Sequence, residues 1–126
     1  MDFGRIGHPL GHSFSKEIHE SLGLYTYKIC DLPEEKFEKF MTEKNFKGIN
    51  VTIPYKQKVI PFLDEIDETA KEIGAVNSIV NKNGKLFGYN TDLFGISNLI
   101  SKTAGDISGK TVLILGSGGT SKTAAY

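Results

Sequence analysis

Lys56 and Asp92 are the two side chains of this sequence whose types suit proton transfer. A lysine is a poor base near neutral pH until desolvation or a nearby cation lowers its pKa, whereas an adjacent carboxylate stabilises and orients its protonated form. Such a pair can pass a proton to and from a hydroxyl or carbonyl oxygen. Each also has an ordinary reading, Lys56 as a solvated residue in a first helical turn and Asp92 as a helix cap through its carboxylate. Lys56 closes the stretch "NVTIPYK", residues 50–56. Val51, Thr52 and Ile53 favour the extended chain, but Pro54 has no backbone donor and restricts the residue before it, so the strand must stop there. Asn50, Thr52 and Lys56 are thereby left near a strand end. Ser13 and Ser15, in "GHPLGHSFS", can hydrogen-bond a small anion or hydroxyl, or cap the helix that starts beside them. Asn77, Asn90 and Thr91 are open to both uses, as ligand contacts or as partners of loop backbone. His8, His12 and His19 form a conceivable metal set, but no acidic or cysteine ligand joins them at a fitting spacing, and no metal site is expected.

A second feature is the turn Gly116-Ser117-Gly118-Gly119 after the apolar run "TVLIL". Strand, glycine turn and helix form a phosphate cradle, because glycines let backbone approach an anion and the helix start supplies free N–H donors. A dinucleotide fingerprint requires G-x-G-x-x-G, and Ser121 stands where its third glycine belongs. A triphosphate loop requires a glycine before Lys122-Thr123, and Ser121 stands there too. A purely structural turn is the third reading.

The elements that must position these residues follow a β-α-β-α-β order. Phe3–Ile6 reads as a strand, Ser15 onward as a helix ended by Gly23, and Tyr25–Ile29 as a second strand. Pro33 suits a first helical position ahead of the stripe Phe37, Phe40 and Met41, and "INVTI" is the third strand. That order predicts parallel pairing with helices on the sheet faces. "DEIDETAKEIG" predicts a helix with Ile66, Ala70 and Ile73 on one face and Gly74 at its end. "SIVNKNGKLFGY" predicts a hairpin across Asn83-Gly84. Leu93, Ile96, Leu99 and Ile100 have helical spacing after Asp92, and Thr111–Leu115 reads as an apolar strand needing cover on both faces. In a parallel sheet ligands collect beyond the carboxyl ends of strands, so the segments after the first strand, after the third and after the hairpin are compatible with one rim.

Composition narrows the partners. Of 126 residues, 39% are hydrophobic and 24% charged, as in a soluble globular protein. The 15 basic and 15 acidic residues cancel, without the basic run that phosphate backbones attract, so nucleic acid is not an expected partner. No signal peptide or membrane-length apolar run is present, and the single Cys30 forms no internal disulfide, which together predict a cytoplasmic protein.

Taken in order, "GHPLGHSFSKEIH", "GINVTIPYK", "IGAVNSI", "GYNTDLFG" and "ILGSGG" resemble shikimate dehydrogenase over essentially the whole chain. The resemblance implies a three-layer α/β/α unit with a mostly parallel sheet over residues 1–100, which binds shikimate or 3-dehydroshikimate. It implies that residues 101–126 are the truncated start of a Rossmann-type domain for NADP. Ser13 and Ser15 would hold the substrate carboxylate, while Thr52, Asn77 and Asp92 would contact ring hydroxyls. Lys56 and Asp92 would be catalytic, Asn50 would support the pocket, and Asn90 and Thr91 would shape the loop that carries Asp92. Gly116, Gly118 and Gly119 would open the cofactor's diphosphate site. The implied reaction is the NADPH-dependent, reversible reduction of 3-dehydroshikimate on the route to chorismate and aromatic amino acids. The implied assembly is a monomer or homodimer of the complete enzyme, with the 126-residue chain inactive by itself. Two further readings stay open: a quinate/shikimate dehydrogenase of broader specificity, and a non-catalytic module for small carboxylates. Lys16 stands where the family often has proline, and Thr120 and Thr123 where it often has smaller residues. Either threonine would crowd the glycine turn or hydrogen-bond beside it.

Overall fold

A computed structural model describes residues 1–126. Strands β1 (Phe3–Gly7), β2 (Tyr27–Asp31) and β3 (Gly48–Val51) are joined by helices α1 (Ser15–Leu22) and α2 (Glu34–Glu43). A one-turn helix α3 (Tyr55–Lys58) and a 3-10 turn at Ile60–Phe62 lead to β4 (Glu65–Ile66) and α4 (Glu68–Ile73). Then come β5 (Ser78–Lys82), β6 (Lys85–Tyr89), α5 (Asp92–Ala104) and α6 (Gly119–Ala125). The six strands form one sheet in the order β2-β1-β3-β5-β6-β4. Only β5 runs against the others, pairing antiparallel with β3 and β6. The mostly parallel α/β sheet is therefore as expected. No helix is long and apolar enough to cross a membrane.

Strand alternation gives the sheet two unlike faces. Ile6, Ile49, Val51, Ile79 and Leu86 belong to the buried core, together with Phe37 and Met41 of α2, Tyr55 of α3 and Ala70 of α4. The opposite face carries Arg5, Asn50 and Ser78, which stand side by side in the β1–β3–β5 register. Helix α1 covers that side, with His19 stacked on Tyr27 at a ring separation of 4.1 Å. A hydrophobic core and a polar row thus share the same strands.

Three expected elements come out differently. Strand β2 begins at Tyr27 rather than Tyr25, and the shift of two leaves its face alternation unchanged. Residues 64–67 are not helical. Asp64 N and Asp67 N donate to Leu86 O and Gly88 O of β6, so sheet pairing takes that backbone. Asp67 then caps α4 by accepting from Ala70 N at 3.4 Å. The run Thr111–Leu115 forms no strand, because no neighbouring strand reaches it; Leu113 and Leu115 are 81% and 87% exposed. Pro33 is also the residue before α2 rather than its first, and the stripe behind it is as expected, with Phe37 and Met41 buried.

The hairpin closes on the two residues expected, with Lys82 opposite Lys85 and positive φ at Asn83 (54°) and Gly84 (85°). A Cβ on Gly84 would meet nothing within 4 Å, so the cost of Gly84→Ala is the backbone strain of a side chain at a φ of 85°. The expected loss is about 1 kcal/mol of stability. It would appear in urea denaturation as a lower midpoint at unchanged slope.

Candidate active site

Lys56 is placed by the end of β3. Thr52 N donates to Ile6 O at 2.9 Å, and Tyr55 N returns to Thr52 O at 2.8 Å, so the chain turns out of the sheet at the proline. The Ile53–Pro54 peptide is cis. Tyr55, fully buried, donates its hydroxyl to Leu32 O at 2.6 Å and stacks on Phe37, which fixes α3 against the core. The next residue, Lys56, faces the polar rim.

Asp92 arrives from the other direction. It is the first residue of α5, and its carboxylate does not cap the helix. Asn90 takes that part by accepting from Leu93 N at 3.3 Å through Oδ1. The Asn90 side chain is buried and also donates to Ala75 O and Thr123 Oγ1, both at 3.0 Å. The Asp92 carboxylate is free to meet Lys56: Lys56 Nζ donates to Asp92 Oδ2 at 2.6 Å across 36 sequence positions. Asn77 Nδ2 donates to Asp92 Oδ1 at 2.8 Å, so each carboxylate oxygen has a donor within the chain. Lys56 and Asp92 side chains are 12% and 30% exposed, accessible to a ligand yet partly shielded from water.

Lys56 Nζ makes a second bond, to Thr120 Oγ1 at 3.0 Å. An ammonium has three donors, so one direction remains for a ligand oxygen. Thr123 Oγ1 accepts from Asn90 and donates to Gly119 O at 3.0 Å. Both threonines therefore hydrogen-bond beside the glycine turn, and they tie it to Lys56 and Asn90.

One cleft is lined by Arg5, Ser15, His19, Asn50, Val51, Thr52, Lys56, Asn77 and Asp92. It brings together six of the expected residues: Ser15, Asn50, Thr52, Lys56, Asn77 and Asp92. Ser13 joins through hydrogen bonds to Ser15 and Arg5 rather than by lining the cleft. Neither serine caps α1. Asn77 has its amide engaged with Thr91 and Asp92, so it orients the acid as well as facing the cleft. Asn50 is held between Tyr27 and Ser78, accepting from the phenol at 2.6 Å and donating to Ser78 Oγ at 3.1 Å. Burial pushes the Tyr27 pKa up to about 12, against the opposing effect of Arg5, so Tyr27 remains a donor to Asn50.

Gly118 and Gly119 lie in an adjoining hollow with Ile53, Pro54, Lys56 and Gln57; Gly116 lines neither space. Gly116 has φ of 124°, in the region that favours glycine. A Cβ on Gly119 would come within 3.0 Å of Lys56 Cβ, whereas one on Gly118 would meet nothing within 4 Å. The first turn of α6 contains no acidic residue. This chemistry fits a diphosphate approaching backbone N–H groups.

Arg5 and Tyr27 are residues of the site with no expectation from the sequence, and His19 figures there only in the conceivable metal set. The three histidines go separate ways: His8 Nδ1 lies 2.9 Å from Asp31 and its hydrogen bond holds that carboxyl below its usual range, His12 is exposed, and His19 packs on Tyr27. Cys30 is a half-buried free thiol in β2, pushed up in pKa by burial.

Comparison with known proteins gives a consistent set of relatives. Residues 6–79 match the family described as the shikimate dehydrogenase substrate binding domain. A shikimate dehydrogenase (NADP(+)) of Halothermothrix orenii is 48% identical, over 94% of this chain and 44% of its own length. Among solved structures, shikimate dehydrogenase 1 of Peptoclostridium difficile gives a TM-score of 0.91 at 38% identity, covering 99% of this chain and 50% of that one. The shikimate 5-dehydrogenase of Thermus thermophilus, in complex with NADP(H) and shikimate, gives 0.84 at 36% identity, covering 99% and 50%. The chain spans about half the length of the relatives it matches.

Proposed function

The chain belongs to the shikimate dehydrogenase substrate-binding domain family, and from that premise we propose that it forms the substrate side of an NADP-dependent shikimate dehydrogenase. Residues 1–100 would bind 3-dehydroshikimate or shikimate, and residues 101–126 would open the cofactor-binding unit. The observation that carries this reading is the Lys56–Asp92 pair, closed at 2.6 Å in a cleft that also holds Ser15, Thr52 and Asn77.

Ketone reduction needs a proton for the oxygen that becomes an alkoxide. Lys56 Nζ supplies it from its one uncommitted donor direction, and in the reverse reaction takes it back. Asp92 keeps the ammonium aimed through Oδ2, and Asn77 keeps Asp92 aimed through Oδ1. A fixed cation beside a developing negative charge stabilises the transition state without reorganisation. Ser13 and Ser15 would bind the ligand carboxylate, and Thr52, Asn77 and Asp92 its hydroxyls. NADPH, when bound, supplies the hydride; Gly116, Gly118 and Gly119 would admit its diphosphate to the backbone.

The full-length product of the gene that encodes this chain is expected to oxidise NADPH in proportion to added 3-dehydroshikimate, and to reduce NADP with shikimate, followed by absorbance. Substrate-dependent turnover absent in both directions, in protein shown to bind shikimate, would leave a carboxylate-binding module instead. Turnover of quinate at a comparable kcat/KM would broaden the specificity.

A further inference from the structure

Arg5 is the one arginine among the 15 basic residues, and the proton transfer described above does not use it. It takes part in no ion pair: the carboxylates of the chain that are paired meet lysines or His8. Asp92 is the single carboxylate lining the cleft, and it is already bound to Lys56. The Arg5 guanidinium therefore leaves the cleft with one uncompensated positive charge.

Its hydrogen bonds act on the two serines. Arg5 Nη1 donates to Ser13 Oγ at 2.6 Å and to Ser15 Oγ at 3.4 Å. Ser13 Oγ also accepts from Ser15 N at 3.2 Å and donates to Ser15 Oγ at 3.0 Å. A guanidinium has donors only. Ser15 Oγ, with donors from Arg5 and Ser13 on its lone pairs, has its own proton left to give, and both Ser15 and Arg5 line the cleft. The chain of bonds runs one way, from the cation through the hydroxyls toward the ligand, and each link polarises the next.

We propose that Arg5 is a specificity-determining residue that turns the Ser13–Ser15 pair into a donor-only receptor for an ionised carboxylate. The proposal rests on the reading that the ligand is a cyclic hydroxy acid. Charge-assisted hydrogen bonds are roughly twice as strong as neutral ones, so the site should separate a carboxylate from an uncharged group of the same shape. Arg5 would act on ligand affinity and leave the proton transfer at Lys56 alone.

The test is calorimetric titration of the full-length gene product with shikimate and with its carboxamide, in wild type, Arg5→Gln and Arg5→Lys. Arg5→Gln is expected to weaken shikimate binding roughly 10- to 100-fold while changing carboxamide binding less than about threefold. The acid-to-amide ratio then collapses. An unchanged ratio overturns the proposal, and so does an equal loss for both ligands, which would make Arg5 a support for the 13–15 loop only. If Arg5→Gln fails to fold by circular dichroism, Arg5→Lys decides, because it keeps the charge and can place one cationic nitrogen where Nη1 alone meets both serines. Its acid-to-amide ratio is expected to stay within about threefold of wild type, and a collapsed ratio with the charge retained overturns the proposal. Failure of the wild type to bind shikimate is a separate outcome that removes the proposed substrate itself.

Discussion

Lys56→Ala in the full-length gene product is expected to lower kcat/KM for shikimate by roughly 10²- to 10⁴-fold, the usual contribution of a positioned acid or base. The loss falls mainly on kcat. Lys56 Nζ lines the cleft with one uncommitted donor, and under the proposed function its removal would take away both the transferred proton and the charge beside the developing alkoxide. Ground-state affinity should change far less, because Ser15, Thr52 and Asn77 remain in place. Asp92→Asn is the informative partner. Asp92 now accepts from Lys56 on one oxygen and from Asn77 on the other, whereas an amide offers a single acceptor oxygen. One donor must then face an NH₂ group, which turns the lysine away. A decrease of roughly 10²-fold is expected. Lys56→Ala within about threefold of wild type would sink the assigned role.

The second large effect is on stability. Tyr55→Ala is expected to cost about 4 kcal/mol, within the range for removing a buried aromatic ring. Tyr55 is 0% exposed, its ring lies 4.3 Å from that of Phe37, and its hydroxyl satisfies Leu32 O at 2.6 Å. The substitution loses the packing, leaves a cavity and strands a buried carbonyl. A domain of this size commonly has only about 5–15 kcal/mol in total, so much of its stability would go. Tyr55→Phe keeps the ring and should cost about 1–2 kcal/mol through the carbonyl alone. Urea denaturation of the three proteins separates the two contributions; a Tyr55→Ala midpoint equal to wild type would contradict the packing described.

What the sequence made legible was local. Asn83-Gly84 announced its hairpin because the turn needs positive φ at both positions. Gly74 ended α4 with a φ of 70° for the same reason. Elements that depend on a distant neighbour were misread. Ile66 has helical spacing with Ala70, but the strand partners of Glu65 and Ile66, Phe87 and Gly88, lie beyond the next helix and strand. Thr111–Leu115 has strand composition and no strand beside it. The site divides in the same manner. Each member of the Lys56–Asp92 pair has an ordinary local use, and only the ordered set of motifs suggested that they meet. Arg5 sat unnoticed inside "FGRIG", although a lone arginine in a lysine-rich chain was a visible signal.

The hydrogen bond from Lys56 to Thr120 has a consequence for regiochemistry. With Asp92 and Thr120 each occupying one N–H, the lysine can serve a single ligand oxygen at a time. In any one bound pose a ring bearing several similar hydroxyl groups would then place a single one of them on that donor, and the contacts made to the others would decide which.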